Sequence, residues 1–229
     1  MTISTTQLVK EFGQPPTRVI QSVDLEIRDG EFVAISGRSG SGKSTLLYLL
    51  STLDDASSGE VLIDGKNPKH MSVEAIHQFR NENLGFVFQF HHLLPELTTL
   101  ENVLLPARRT QQHKTKTGYA MELLEQFGIS HKKDKLPSQI SDNEQQHIAI
   151  ARALIIQPHY VFANEPTGSL DSKNGRLVMD ILAQANRERQ TTLVLVTHEP
   201  DYAAMAEREI YLIDGRISSR LEDNAQLIK

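Results

Sequence analysis

Residues 37–45 read Gly-Arg-Ser-Gly-Ser-Gly-Lys-Ser-Thr, with Gly37, Gly42, Lys43 and Ser44 at the fixed places of a G-x-x-x-x-G-K-[ST] loop. The spacing has a mechanical reason. Glycines let successive backbone N–H groups turn inward around phosphate oxygens with no Cβ in the way. The lysine supplies a point charge for the outer phosphates of a nucleoside triphosphate, and the hydroxyl after it reaches a magnesium ion. The loop residues Gly37, Arg38, Ser39, Gly40, Ser41, Gly42, Lys43, Ser44 and Thr45 are therefore expected to cradle phosphate. Chemistry on that phosphate needs further groups. Tyr160-Val-Phe-Ala-Asn-Glu-Pro-Thr167 is an apolar run ending in Asn164-Glu165. A carboxylate at the end of a buried strand suits a base that polarises an attacking water, and Glu165 fills that place. Val196-Thr197-His198 ends a second such run and offers an imidazole to the γ-phosphate. Gln89 closes a third and reaches toward metal and water.

These groups need elements to hold them. Glu31–Ser36 reads as a buried strand entering the glycine loop, and Thr45–Leu50 as an apolar helix leaving it. Partly alternating strands are expected at Ile3–Val9 and Arg18–Ile27, and a short one at Gly59–Gly65. Leu84–Phe88, Tyr160–Ala163 and Thr192–Val196 are short runs of the kind buried on both faces. Helices are expected at Val73–Arg80, Leu100–Arg109, Tyr119–Phe127, Glu144–Ile156 and Lys173–Glu188, with Pro106 ending or kinking the second of these. Glu209–Ile213, Asp214-Gly215 and Arg216-Ile217 form a terminal hairpin, and the tail after Ser219 is short and polar. Apolar strands alternating with helices imply a parallel sheet covered on both faces. The fold class is thus α/β, a P-loop core with a parallel sheet, an antiparallel β subdomain from the N-terminal third and an inserted α-helical subdomain at about 90–157, all in one domain spanning 1–229.

The chain of 229 residues is 39% hydrophobic with a formal charge of −5, enough for a core and the wrong sign for a nucleic-acid partner. No apolar run approaches the ~20 residues of a membrane span. Met1–Gln7 lacks the basic start and apolar stretch of a signal peptide, and there are no cysteines, which fits the cytosol and excludes disulfides.

Taken in order, these stretches resemble the nucleotide-binding subunit of ABC transporters over nearly the whole chain. Phe12 matches the aromatic that stacks on adenine; the plainer reading is a core or turn aromatic. Gly37–Thr45 matches the first Walker motif, Gln89 the Q-loop, Ile140–Gln146 the signature, Tyr160–Thr167 the second Walker motif, Ser169-Leu170-Asp171 the D-loop and His198 the switch histidine. Phe88–Val103 is most similar to the bacterial branch serving lipoprotein release and macrolide or peptide export. The resemblance implies ATP and Mg²⁺ as ligands, the metal near Ser44, Gln89 and Asn164, and catalysis by Glu165, His198 and Gln89. It implies a second ATP-binding subunit, a homodimer paired head to tail, whose Ser141 and Asp171 approach the nucleotide. It also implies an integral membrane permease, a cytoplasmic chain peripheral to the inner membrane face, and no nucleic acid.

Four residues depart from the family pattern, in three motif places. The signature glycines are replaced by Asp142 and Asn143, the second Walker aspartate by Asn164, and the usual arginine after Gln146 by His147. Asp142 adds charge next to a polyanion, or turns away to cap a helix; Ser141-x-x-Glu144 is itself a capping-box pattern. Asp171 is also a natural N-cap for the helix that follows it. An amide at 164 is a weaker hard ligand than a carboxylate. Two readings follow: a transport ATPase, expected to turn over slowly, and a hydrolysis-deficient ATP-binding clamp.

Overall fold

The computed structural model describes Thr2–Ser218; the polar tail noted above lies outside the described residues. The strands are β1 (Thr2–Phe12), β2 (Thr17–Arg28), β3 (Phe32–Gly37), β4 (Ser58–Ile63), β5 (Leu84–Val87), β6 (Tyr160–Asn164), β7 (Thr192–Val196), β8 (Arg208–Ile213) and β9 (Arg216–Ser218). The helices are α1 (Lys43–Leu50), α2 (Val73–Asn83), α3 (Thr99–Arg109), α4 (His113–Gln126), α5 (Asp142–Leu154), α6 (Ser172–Arg189) and α7 (Pro200–Ala203). Two compact units divide them: among the described residues, 2–73 with 192–218, and Glu74–Thr191.

In the first unit, β1 lies between β2 and β4 in an antiparallel sheet. Register places Ile3 opposite both Ile27 and Ile63. All three are buried, so one row of isoleucines ties the three strands on their inner face. A second set of strands runs β7-β3-β8-β9. β3 is parallel to β7 and β8, while β8 and β9 form the expected antiparallel hairpin. Val33, Ala34, Ile35 and Leu193–Val196 are buried, as a central parallel strand pair requires. At one end of this sheet, Arg208 grips Glu31 through both carboxylate oxygens, at 2.7 and 3.0 Å. Burial pushes the Glu31 pKa up, but the bonds from Arg208 and the Arg28 amide outweigh it and hold the carboxyl below its usual range.

In the second unit, β5 and β6 are parallel, with Leu84 opposite Tyr160 and Val87 opposite Ala163. Phe86 stacks on Phe162 at 5.8 Å and on Phe88 at 5.9 Å. Helices α3, α4 and α5 pack on one another, and α5 packs on β5. Helix α3 starts with a Thr98–Glu101 capping box. The buried Asn102 side chain sews the preceding turn down through bonds to Leu94, Leu97 and Thr98.

The structure excludes one of the two outcomes expected at Pro106, and sequence expectations shift at two later helices. Pro106 does not end α3, which runs on to Arg109. A proline inside a helix costs about 3 kcal/mol, but Val103, Leu104 and Ala107 are buried around it. At about 1.5–3 kcal/mol per buried aliphatic side chain, that burial outweighs the break. Helix α4 begins at His113, well before the expected Tyr119. Its first turn has no apolar period to read; it is held by backbone bonding to Gln112 and by Thr117 Oγ1 donating to the His113 carbonyl. Helix α7, opened by Pro200 at its first position, is too short to show a period at all.

Candidate functional site

The glycine loop lies between β3 and α1, as the strand-loop-helix reading requires. Gly37, Gly40 and Gly42 have φ of 135°, 78° and 99°, a region that L-side chains rarely adopt. At Gly42 a Cβ would stand 2.8 Å from the Val19 carbonyl oxygen, and at Gly37 one would stand 2.2 Å from that of Leu212. The cradle is therefore closed to any side chain at those two positions. Lys43, the first residue of α1, is buried, and its Nζ donates to the Gly37 and Arg38 carbonyls at 3.1 and 2.8 Å. The ammonium is thus folded back over its own loop. Ser41 Oγ is buried with no hydrogen-bond partner among the described residues. A buried hydroxyl left unmatched costs about 1–3 kcal/mol, and a phosphate oxygen is a group that would satisfy it. Cradle, lysine, orphan hydroxyl and helix N-terminus together fit a phosphate chain.

His198 is exposed just beyond β7. It lines a cleft of about 370 Å³ with Ser36, Gly37, Arg38 and Tyr211, so the structure brings the expected switch histidine to the start of the loop. Phe12, at the end of β1, is 46% exposed with Lys10 Nζ 4.9 Å from its ring centre. It is not a core aromatic. An exposed ring beside a cation is available to a flat base.

The remaining expected residues belong to the second unit. Gln89 is exposed just after β5. Asn164 is buried at the end of β6, and Glu165 follows it at φ 47°, a strained conformation for a residue with a side chain. Ser141 is the N-cap of α5. Glu144 Oε2 accepts from both its backbone N–H and its hydroxyl at 3.0 Å, so the capping-box pattern is realised. Lys132 holds the other Glu144 oxygen at 2.6 Å. Burial pushes the Glu144 pKa up, and these bonds bring it below its usual range. Asp142 occupies the first turn of α5 and is exposed. Asp171 caps α6, accepting from the Lys173 and Asn174 amides at 3.0 and 2.9 Å.

Two residues outside the expected set join these segments. Gln146 Nε2 donates to the Pro166 carbonyl at 2.8 Å and to that of Phe88 at 3.4 Å. Arg152 donates to the His91 and His92 carbonyls at 2.7 Å each. Both stand on α5, and their carbonyl partners are far away in sequence. A groove of about 300 Å³ in this unit is lined by Phe86, Phe88, Leu105, Pro106 and Ile156, with Arg80 and His92 at its edge. Phe90 and Leu94 follow in the chain and are exposed.

A glycine cradle between a buried strand and a helix N-terminus, with a buried lysine behind it, defines a P-loop nucleotide-binding cassette. A family profile described as ABC transporter matches residues 20–168, and the chain belongs to that family. It is 49% identical over 223 residues to the lipoprotein-releasing system ATP-binding protein LolD of Leptospira interrogans, covering 97% of this chain and 93% of that one. It is 44% identical over 222 residues to LolD 2 of Chlorobaculum tepidum, covering 93% and 90%. The dimeric structure of the bacterial ABC transporter cassette MJ0796 superposes with a TM-score of 0.88 at 37% identity, over 95% of this chain and 97% of that one. A post-hydrolysis dimer of the same cassette, bound to ADP and Pi, gives 0.87 at 35% identity, over the same 95% and 97%. The fold is the α/β ABC cassette, and the chain is an ATP-binding subunit of an ABC transporter.

Proposed function

We propose that this chain drives lipoprotein release by hydrolysing ATP, as one of two copies paired head to tail at the cytoplasmic face of the inner membrane beneath a permease. The likeness to lipoprotein-releasing proteins over nearly the full length of both chains supports the cargo class. The dimeric neighbours support the pairing. The apolar groove of the second unit, with Phe90 and Leu94 beyond it, suits a short amphipathic helix of a permease. We read residues 1–229 as a single cassette, with the helical lobe at about 90–157 as its insertion.

The observation that carries the reading is the phosphate cradle: glycines that tolerate no Cβ, and a buried Ser41 hydroxyl without a partner among the described residues. In the proposed roles, Phe12 stacks on adenine and Gly37–Thr45 wrap the phosphates. Lys43 leaves its loop carbonyls for the β- and γ-phosphates. Glu165 accepts a proton from water as the water oxygen bonds to the γ-phosphorus. The bond to the bridging oxygen breaks, its electron pair stays on ADP, and inorganic phosphate leaves. His198 donates to a γ-phosphate oxygen and Gln89 orients the water. Ser141 and Asp171 approach the nucleotide of the other copy. Ser44, Gln89 and Asn164 offer a hydroxyl and two amide oxygens, hard but uncharged donors that fit Mg²⁺ when phosphate oxygens supply the negative charge. When bound, the ion neutralises charge on the phosphates.

Phosphate release by the purified protein, alone and with its permease in proteoliposomes, tests the reading. Turnover that disappears in Glu165→Gln supports it. Tight ATP binding with no phosphate release from the wild-type chain in either setting would instead establish the clamp.

A further inference from the structure

Gln146 is fully buried in α5 and yet carries an amide. Its Oε1 has no partner among the described residues. An apolar side chain of the same length would avoid that unmatched oxygen, so packing does not account for a glutamine here. What the amide does is join two backbone segments. Nε2 donates to the carbonyl of Pro166, next in chain to Glu165, at 2.8 Å, and reaches that of Phe88, next to Gln89, at 3.4 Å. The β5–β6 pairing ends at Val87 opposite Ala163, so both functional residues lie past the last paired position. Glu165 also sits at φ 47°. A strained backbone persists only where its surroundings over-determine it, and an anchor on the very next carbonyl supplies that. Farther along the same helix, Arg152 fixes the His91 and His92 carbonyls at 2.7 Å. Residues 88–92 are thereby held from α5 at both ends.

We infer that Gln146 is a positioning residue for hydrolysis: its amide fixes the backbone on which Glu165 and Gln89 stand, and so the distance between base and water-orienting amide. The inference rests on the proposed roles of those two residues. Gln146 is fully buried and offers no surface to a bound nucleotide. Its loss should therefore lower turnover and leave ATP affinity alone.

The test is steady-state ATPase kinetics of Gln146→Leu, normalised to ATP-binding sites counted by isothermal titration with Mg²⁺-ATP. Gln146→Met, unbranched and of the same length, replaces it if the leucine variant does not fold. Misplacement of about 1 Å is worth up to roughly 100-fold in rate. A fall in kcat of ten- to a hundred-fold with KM and Kd for ATP within about threefold, and no loss of thermal stability, supports the inference. A kcat per site within twofold of wild type, in a preparation where Glu165→Gln is inactive, overturns it and leaves the proposed function intact. If Glu165→Gln itself keeps turning over, the assignment of the base falls and this inference falls with it.

Discussion

Asn143 Nδ2 donates to Asp171 Oδ2 at 3.1 Å, bonding the start of α5 to the start of α6 within one chain. Asn174 Nδ2 holds the same oxygen at 2.6 Å, and the other oxygen caps α6. The bonds from Asn174 above all, with those from Lys173 and Asn143, keep the Asp171 carboxyl below its usual pKa. A glycine at 143 makes no such bond. Of the two residues standing at signature glycines, one has a structural partner and the other, Asp142, is exposed in the first turn of α5.

Asp142→Gly and Asn143→Gly should therefore act in opposite directions. Two unit charges ~4 Å apart repel by about 1 kcal/mol in water and about 4 at an effective dielectric of 20. If Asp142 faces the partner's γ-phosphate, its removal should favour closure of the pair by roughly tenfold or more. Asn143→Gly should bring no such gain, and should loosen the junction by removing the bond to Asp171. The measurement is the ATP-dependent dimer fraction by size-exclusion chromatography in a Glu165→Gln background. Equal dimer fractions in Asp142→Gly and its parent would rule out the repulsion.

Asn164→Asp addresses the metal. The amide is buried at the end of β6, so a carboxylate there would be poorly solvated unless a cation stood beside it. Turnover should rise, and the Mg²⁺ concentration giving half-maximal rate should fall several-fold. Without Mg²⁺ the variant should melt below wild type, and with Mg²⁺-ATP it should recover. A Mg²⁺ titration of phosphate release that overlays the wild type would show that residue 164 does not sense the ion.

Much of this site was legible because its motifs are local. Gly37–Thr45 lies in one loop, and Glu165 and His198 each stand at the end of an apolar run whose burial is obvious from composition alone. What could not be read is whatever depends on partners far away in the chain. Gln146 looks like any polar helical residue until its amide is found on Phe88 and Pro166. Arg152 looks like a surface cation until it is found on two loop carbonyls. Of the two outcomes open at Pro106, an end or a kink, the end is excluded: the local rule is outweighed by burial of Val103, Leu104 and Ala107, which no window around the proline reveals.

Gly42→Ala should cost both stability and binding. The position has φ 99° and a Cβ would sit 2.8 Å from the Val19 backbone oxygen. The left-handed conformation alone costs an alanine about 1–2 kcal/mol, worth about 2–4 °C in melting temperature per kcal/mol for a chain of this size. Relief of the clash must move the loop, so calorimetric ATP binding should weaken at least tenfold. By contrast, Lys43→Ala should abolish ATP affinity with a smaller effect on stability, because the ammonium donates to carbonyls of its own loop, Gly37 and Arg38. Unchanged heats of ATP binding in both variants would remove the cradle from the site.

His147 makes stability fall in mild acid. It is 3% exposed, its ring stacks on Phe127 at 4.8 Å, and neither ring nitrogen has a partner among the described residues. Burial lowers its pKa, with the carboxylates of Glu144 and Asp171 opposing that only in part. The unfolded-chain value is about 6.5. Below it the unfolded chain binds the proton more readily than the folded one, so stability drops as pH falls through that window, and above it the residue contributes no slope. His147→Phe keeps the stack and removes both the titration and the unmatched nitrogens. Its melting temperature should equal or exceed that of wild type at pH 8, and the advantage should widen steadily down to about pH 5.5. Melting curves at constant ionic strength across that range give the difference directly; one that does not change with pH would mean the imidazole stays out of the folding equilibrium.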